Sequence, residues 1–199
     1  MDQPFSEACE RNKAPILAEL QQRYGPTRRV FELGSGTGQH ALHFAAAMPG
    51  WSWQCSELPQ NLSHLRRVLA EAALPNLPAP QAGDVNQPLR FGDCDAVFTA
   101  NTLHIMGWSE VQRLFDALGL QLVPSALFTV YGPFNYGGRP SSESNARFDA
   151  ALRAGDAKRG VRDFEAVDAL AGSAGMILLA DTPMPANNRC LTWQRTALR

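Results

Sequence analysis

Lysine is almost missing from this chain. Of 18 basic residues only Lys13 and Lys158 are lysines, and the arginines are scattered rather than gathered into runs. With no basic stripe and a formal net charge of −1, the sequence lacks the cluster of cations that displaces counterions from nucleic acid. Long apolar runs are missing too. None approaches the roughly 20 residues that cross a bilayer, so neither nucleic acid nor a membrane is expected as a partner. The four cysteines, Cys9, Cys55, Cys94 and Cys190, form no C-x-x-C pair and have no histidine beside them at ligand spacing. That leaves neither a zinc site nor a disulfide framework, and no metal is expected. The opening MDQPFSEACERNK lacks the apolar core of a signal peptide, and no internal repeat or low-complexity tract occurs. A soluble, cytoplasmic protein is the expectation.

What is present suits one globular domain over residues 1–199, with 45% hydrophobic and 19% charged residues. From Arg28 onward short β-prone runs alternate with helical segments: RVFEL (29–33), GQHALHFAAAM (38–48), WSWQCSE (51–57) and LPQNLSHLRRVLAEAAL (58–74). A proline-marked turn region leads to Gly83-Asp84, then come CDAVFTANTLHI (94–105), a helix from Ser109 to Leu122 with Ser109 as its cap, and ALFTVYGPF (126–134). This alternation predicts an α/β fold with a mainly parallel sheet and helices on both faces. Ahead of it, Asn12 to Tyr24 reads as an extra helix with Pro15 near its start, and residues 1–25 as a helical cover. After the fifth strand, GPFNYGGRPSSESN (132–145) is rich in turn formers and a polar helix follows, so 132–160 reads as a substrate-side loop and helix. MILLADTPMP (176–185) and CLTWQRTAL (190–198) are joined by so few residues that they must form an antiparallel hairpin.

The densest chemical signal is FELGSGTGQH (31–40), three glycines in five residues between a strand and a helix. It is not a P-loop, because no lysine follows to reach a phosphate. In the frame Gly36-Thr37-Gly38-Gln39-His40-Ala41 it satisfies G-x-G-x-x-A, with Glu57 about 20 residues on, as a dinucleotide site requires. Glu32 argues the other way. A carboxylate two residues before Gly34 would repel a pyrophosphate and suits a ligand bearing an ammonium and a sulfonium. With Glu57 and Asp84 it puts acids at three successive strand ends, fit for a cationic nucleoside such as S-adenosylmethionine. An NAD-dependent oxidoreductase stays open as the rival reading, as does a non-catalytic S-adenosylmethionine binder acting through a partner.

ELGSGTG, the strand end CSE, the GDV turn and TANTLHI resemble class I S-adenosylmethionine-dependent methyltransferases. The whole chain, from SEACERNKAPIL through YGPFNYGG and RFDAALR to NNRCLTW, resembles a mostly uncharacterised methyltransferase-like family of bacteria and animals. The resemblance implies a Rossmann-like, seven-stranded sheet of order 3-2-1-4-5-7-6 with strand 7 antiparallel, and a methyltransferase (EC 2.1.1.-) acting on an unidentified small molecule. It implies that Glu32 meets the methionine end of the cofactor, that Gly34, Ser35, Gly36, Thr37 and Gly38 give the backbone approach, and that Glu57 accepts from the ribose. Leu58 would flank the adenine, Asp84 and Val85 would bind its edge, and Asn101 would lie beside the transferred methyl. His104 and Tyr131 are the candidates for acid–base chemistry. Arg11, Asn12, Phe134, Asn135 and Tyr136 are the candidates for contact with the substrate. His40, His43 and His64 read as structural or exposed, and Asn187 and Asn188 as turn residues that could also face the pocket.

Overall fold

The computed structural model describes residues 5–197. The expectations for residues 1–4 of the opening segment and for Leu198 at the end of the last strand lie outside the described residues. In chain order the elements are α1 (Glu7–Tyr24), β1 (Arg28–Leu33), α2 (Gln39–Ala47), β2 (Trp51–Glu57), α3 (Leu62–Ala72), β3 (Gln81–Ala82), β4 (Ala96–Ala100), α4 (Trp108–Gln121), β5 (Leu127–Gly132), β6 (Phe134–Tyr136), β7 (Arg139–Pro140), α5 (Glu143–Gly155), β8 (Arg162–Asp163), α6 (Phe164–Ser173), β9 (Met176–Met184) and β10 (Asn188–Arg195). Seven strands form one sheet in the order β3-β2-β1-β4-β5-β10-β9, and β7-β6-β8 form a small second sheet. With β9 and β10 as the sixth and seventh strands of the large sheet, this is the expected order, and β10 runs antiparallel to both its neighbours.

The chain divides into two compact units. One runs to Asp84 and includes Arg90–Thr99; the other holds Val85–Leu89 and the chain from Ala100 onward. In the first unit β1 pairs in parallel with β2 and β4. Period-two alternation on β2 turns Trp51, Trp53 and Cys55 to one side, where all three are fully buried. Phe44 of α2 meets Trp53 at 5.1 Å and Phe98 at 5.8 Å in edge contacts, an arrangement aromatic quadrupoles favour. In the second unit β10 pairs with β5 and β9, and Phe115, Phe128 and Trp193 form the matching cluster, with Phe115 edge-on to Phe128 at 5.4 Å. Trp193 keeps its indole hydrogen satisfied on Asp168 at 2.8 Å.

Four sequence expectations are corrected. First, α1 starts at Glu7 because Ser6 caps it, accepting from the Cys9 N–H at 3.3 Å, with Glu7 and Glu10 favourably placed in the first turn. Pro15 therefore lies in the helix interior, where burial of Ile16, Leu17 and Leu20 outweighs one lost hydrogen bond. Second, α4 is capped by Gly107 rather than Ser109. The Gly107 N–H donates to the Glu110 carboxylate at 2.6 Å while its carbonyl accepts from the Glu110 N–H at 2.9 Å. Third, β4 stops at Ala100, since Asn101 adopts φ 55°, a left-handed turn conformation in which no strand can continue. Fourth, the turn-rich 132–145 segment contains two short strands, β6 and β7.

Candidate functional site

In the first unit the glycine loop is pinned to the end of β2. The Gly34 and Ser35 N–H groups both donate to the Ser56 carbonyl, at 3.1 and 2.9 Å, and the Ser56 N–H donates to Ser35 Oγ at 3.2 Å. Gly34, Gly36 and Gly38 have φ of 74°, 54° and 79°, left-handed values that glycine adopts without a Cβ penalty. Gly38 then opens α2, and Gly36 stands exposed at the crest of the turn. At its three glycines the loop presents bare backbone.

Three acids reach this edge. Parallel pairing sets Leu33 opposite Ser56 and Ser56 opposite Gln81, so β1, β2 and β3 end level. Glu57 is buried; its Oε2 accepts from the Gly36 N–H at 2.8 Å and its Oε1 from the Leu58 N–H at 2.8 Å and Asn61 Nδ2 at 3.2 Å. Each carboxylate oxygen accepts two hydrogen bonds, so Oε2 keeps capacity for a ligand hydroxyl. The Gly83 N–H donates to the Glu57 carbonyl at 2.9 Å, which brings Asp84 to the same edge. Leu58 is 38% exposed, free to flank a flat ring. Glu32 lies deeper. Trp53 Nε1 donates to its Oε2 at 3.0 Å and Cys55 Sγ lies 3.8 Å from the same atom. Burial pushes its carboxyl above the usual range, opposed by these donors.

The N-terminal helix is fastened to the loop. Gln39 Oε1 accepts from the Ser6 N–H at 2.7 Å and from Thr37 Oγ1 at 2.9 Å. His40 Nε2 and Asn12 Oδ1 are 2.6 Å apart, and because a carboxamide oxygen only accepts, Nε2 carries the hydrogen. Asn12 is thus committed inside the unit, and Arg11 lies exposed beside Glu7 at 3.3 Å. His40 reads as structural or exposed in the sequence and is structural here, while Gln39 carries no sequence signal. The G-x-G-Q-H spelling gave no sign that these two side chains, turned back from α2, hold α1 down.

In the second unit the residues after β4 form a tight turn. The Asn101 N–H donates to the Tyr131 carbonyl at 2.8 Å, and the Ile105 and Met106 N–H groups donate to the Thr102 carbonyl. The turn carries His104, whose ring is buried edge-on to Phe148 at 5.1 Å. Arg162 fixes it from below: Nε donates to the Leu103 carbonyl at 3.1 Å, and Nη2 to the carbonyls of Met106 and of Lys158, the latter at 3.0 Å. Burial, and then Arg162, lower the His104 pKa to about 4. Arg162 had no sequence signal, since its role depends on a turn 59 residues away.

The remaining candidates divide. Tyr131 is buried on β5, and Phe134 is core. Tyr136 donates its hydroxyl to Asp181 Oδ2 at 2.9 Å, and Arg189 Nε binds Asp181 Oδ1 at 2.6 Å, so this tyrosine ties β6 to the terminal hairpin. Asn135 reaches the Val161 carbonyl at 3.4 Å, while its buried Oδ1 has no partner among the described residues. Asn187 and Asn188 serve the turn: the Asn187 carbonyl accepts from Asn145 at 2.9 Å, and Asn188 donates to Pro185 at 3.1 Å. Val85 and Asn101 belong to this second unit.

Residues 3–195 match the sequence model of the family described as "Protein of unknown function (DUF938)". Among solved structures, the chain is similar to an O-methyltransferase family protein from Burkholderia thailandensis, at 15% identity and TM-score 0.79, over 97% of this chain and 59% of that one. It is also similar to the mitomycin 7-O-methyltransferase MmcR, at 17% identity and TM-score 0.80, over 95% and 54%. Human N-acetylserotonin methyltransferase in complex with SAM gives 15% identity and TM-score 0.79, over 96% and 53%. At these identities the likeness is one of fold. The chain spans a little over half the length of these structures.

Proposed function

The chain belongs to the DUF938 family, and we propose that it is an S-adenosylmethionine-dependent methyltransferase acting on a small molecule. The observation that carries this reading is Glu57, a carboxylate fixed at the end of β2 against the bare backbone of the glycine loop by N–H groups on both sides. Its Oε2 keeps one place to accept from a ribose hydroxyl beside the Gly36 N–H. The residues of the first unit fit the cofactor as a set. Gly34 to Gly38 give close backbone approach, Glu57 takes the ribose, Leu58 and Asp84 the adenine, and Glu32 with Glu57 supports a cation. When bound, S-adenosylmethionine supplies a methyl group activated by a sulfonium.

The candidate acid–base group of the second unit is His104. His104 is neutral at neutral pH, so its ring has one nitrogen free to accept a proton. Positioning carries most of the expected rate enhancement, as it does wherever reactants are held in line. O-Methylation is named for the solved structures of the same fold and supports an oxygen acceptor here. A dinucleotide is disfavoured by Glu32, buried beside the loop where a pyrophosphate would lie. Absence of a basic cluster in the sequence disfavours nucleic acid.

Calorimetry with S-adenosylhomocysteine and with NAD tests the reading. Binding of S-adenosylhomocysteine is expected, and binding of NAD alone overturns it. Transfer of label from methyl-labelled cofactor into a metabolite extract then separates an enzyme from a binder acting through a partner.

A further inference from the structure

Gly132 ends β5 with no backbone reason to be glycine. Its φ is not positive. A Cβ placed on it would meet, its chain neighbours aside, only His104 Nδ1 at 3.8 Å and Asn101 Oδ1 at 3.9 Å among the described residues, both ordinary contact distances. Alanine fits there. Glycine within a strand costs about 0.5–1 kcal/mol relative to alanine, and a strand glycine often marks a bulge, a tight bend or a place where a ligand or another backbone approaches closely.

The two atoms that bound this space are polar, and neither the Asn101 carboxamide nor the His104 ring has a hydrogen-bond partner among the described residues. His104 keeps 7% of its surface exposed, and its ring nitrogens are not among the buried polar atoms left without a partner, so they open to solvent, where a ligand can reach them. Asn101 is held at φ 55° by its N–H bond to the carbonyl of Tyr131, the residue before Gly132. Left-handed backbone at a non-glycine residue is strain that persists where the surroundings impose it, and it clusters at ligand sites. Beside His104, Ile105 and Phe148 keep 49% and 41% of their surfaces exposed.

We infer that Gly132, Asn101 and His104 form a subsite for a hydroxyl group carried on an apolar body. Naming that body the methyl acceptor rests on the methyltransferase reading; the subsite itself does not. A carboxamide oxygen accepts, and a neutral imidazole nitrogen accepts or donates according to its tautomer, so the pair suits a hydroxyl, which can do both. A carboxylate would set a further acceptor against the Asn101 oxygen. A protonated amine would enter the field of the Arg162 guanidinium, which donates to three carbonyls and lies over the Trp108 ring at 5.9 Å. A hydroxyl meets neither objection, and the half-exposed Ile105 and Phe148 suit an apolar skeleton. The missing methyl of Gly132 is the room the oxygen needs.

The test titrates the protein, with and without S-adenosylhomocysteine, with phenol, benzoate and benzylammonium while following the histidine ring nitrogens by NMR. His104 is assigned from the resonance lost in His104→Gln. Phenol is expected to move the His104 signal while the two ions do not. Gly132→Ala should keep or raise the melting temperature, leave S-adenosylhomocysteine affinity unchanged, and weaken phenol binding about tenfold, the usual scale for forcing an extra methyl into a filled space. Equal phenol affinity in Gly132→Ala, or an equal response to benzoate or benzylammonium, overturns the subsite. If S-adenosylhomocysteine fails to bind while the phenol response and its loss in Gly132→Ala persist, the methyltransferase reading falls and the subsite stands.

Discussion

The backbone N–H of Gly36 donates to Glu57 Oε2 at 2.8 Å, tying the crest of the glycine loop to the end of the strand beside it. One carboxylate therefore shapes the loop and is proposed to read the ligand the loop receives. Preorganisation of this kind limits the ordering left to be done on binding.

Glu57→Ala removes three acceptor contacts, those to Gly36, Leu58 and Asn61. The expected loss in S-adenosylhomocysteine affinity is about tenfold or more, since ribose donors left unpaired cost roughly 1–3 kcal/mol. Melting temperature should fall as well, because two backbone N–H groups lose their partner. Glu57→Gln keeps an acceptor oxygen and should lie between. Calorimetry decides, and unchanged affinity in Glu57→Ala removes this residue from the site.

Gly83 is required for space. A Cβ there would lie 2.4 Å from Ser56 Oγ and 2.7 Å from Ser56 Cβ, with Leu33 Cδ1 next at 3.4 Å. Gly83→Ala should destabilise by about 1–3 kcal/mol, the usual cost of overpacking. Ser56→Gly also destabilises, losing the 2.7 Å bond from Ser56 Oγ to the Glu32 carbonyl. The double variant should be more stable than the sum of the two predicts, because both clashing atoms are gone. Additive urea midpoints would show that the clash is relieved some other way.

Arg162 acts through carbonyls, so its removal is felt by the turn. Arg162→Met keeps the aliphatic length and leaves the carbonyls of Leu103, Met106 and Lys158 without this donor. A loss of about 3 kcal/mol is expected, since bonds from charged donors are worth more than neutral ones. The sign of the electrostatic effect is fixed as well. Arg162 lowers the His104 pKa, so Arg162→Met should raise it, while burial keeps it below the ordinary value. An NMR titration of the ring that does not move would limit Arg162 to a structural role.

Much of this was legible in the sequence because it is carried by local chemistry. WSWQCSE alternates so strongly that β2 falls on Trp51–Glu57 as read, and the short link after Met184 could only be a hairpin. The glycine loop and its acids were legible for the same reason, being contiguous or set by strand ends. What stayed hidden depends on partners distant in sequence. The strand reading through TANTLHI failed because the left-handed turn at Asn101 is closed by Tyr131, 30 residues on. The start of α1 was missed because Ser6 and Gln39 hold it jointly across 33 residues. Tyr136 looked like a substrate wall until Asp181 and Arg189 were seen to claim it.

Acid sensitivity is the last expectation, and its sign follows from two buried histidines. Burial is the main cause in both cases. His43 and Lys13 add to it at His40 and Arg162 at His104, and each pKa falls from 6.5 to about 4. Both rings are neutral in the folded protein between those values, while the unfolded chain takes up protons as pH drops below 6.5. The unfolded state then binds more protons, so stability rises with pH across this window. Their contribution is complete above pH 6.5 and is lost as pH falls toward 4, at most about 3 kcal/mol for each ring. Glu32 works the other way, since its raised pKa favours the folded state in acid and that help is lost as pH rises. Urea midpoints measured from pH 7.5 down to 4.5 should therefore fall. His40→Gln, which keeps a donor for Asn12, and His104→Gln should each flatten the decline. Curves parallel to the wild type would show that these rings are already protonated in the folded protein, and with that the neutral imidazole assigned to His104 would be lost.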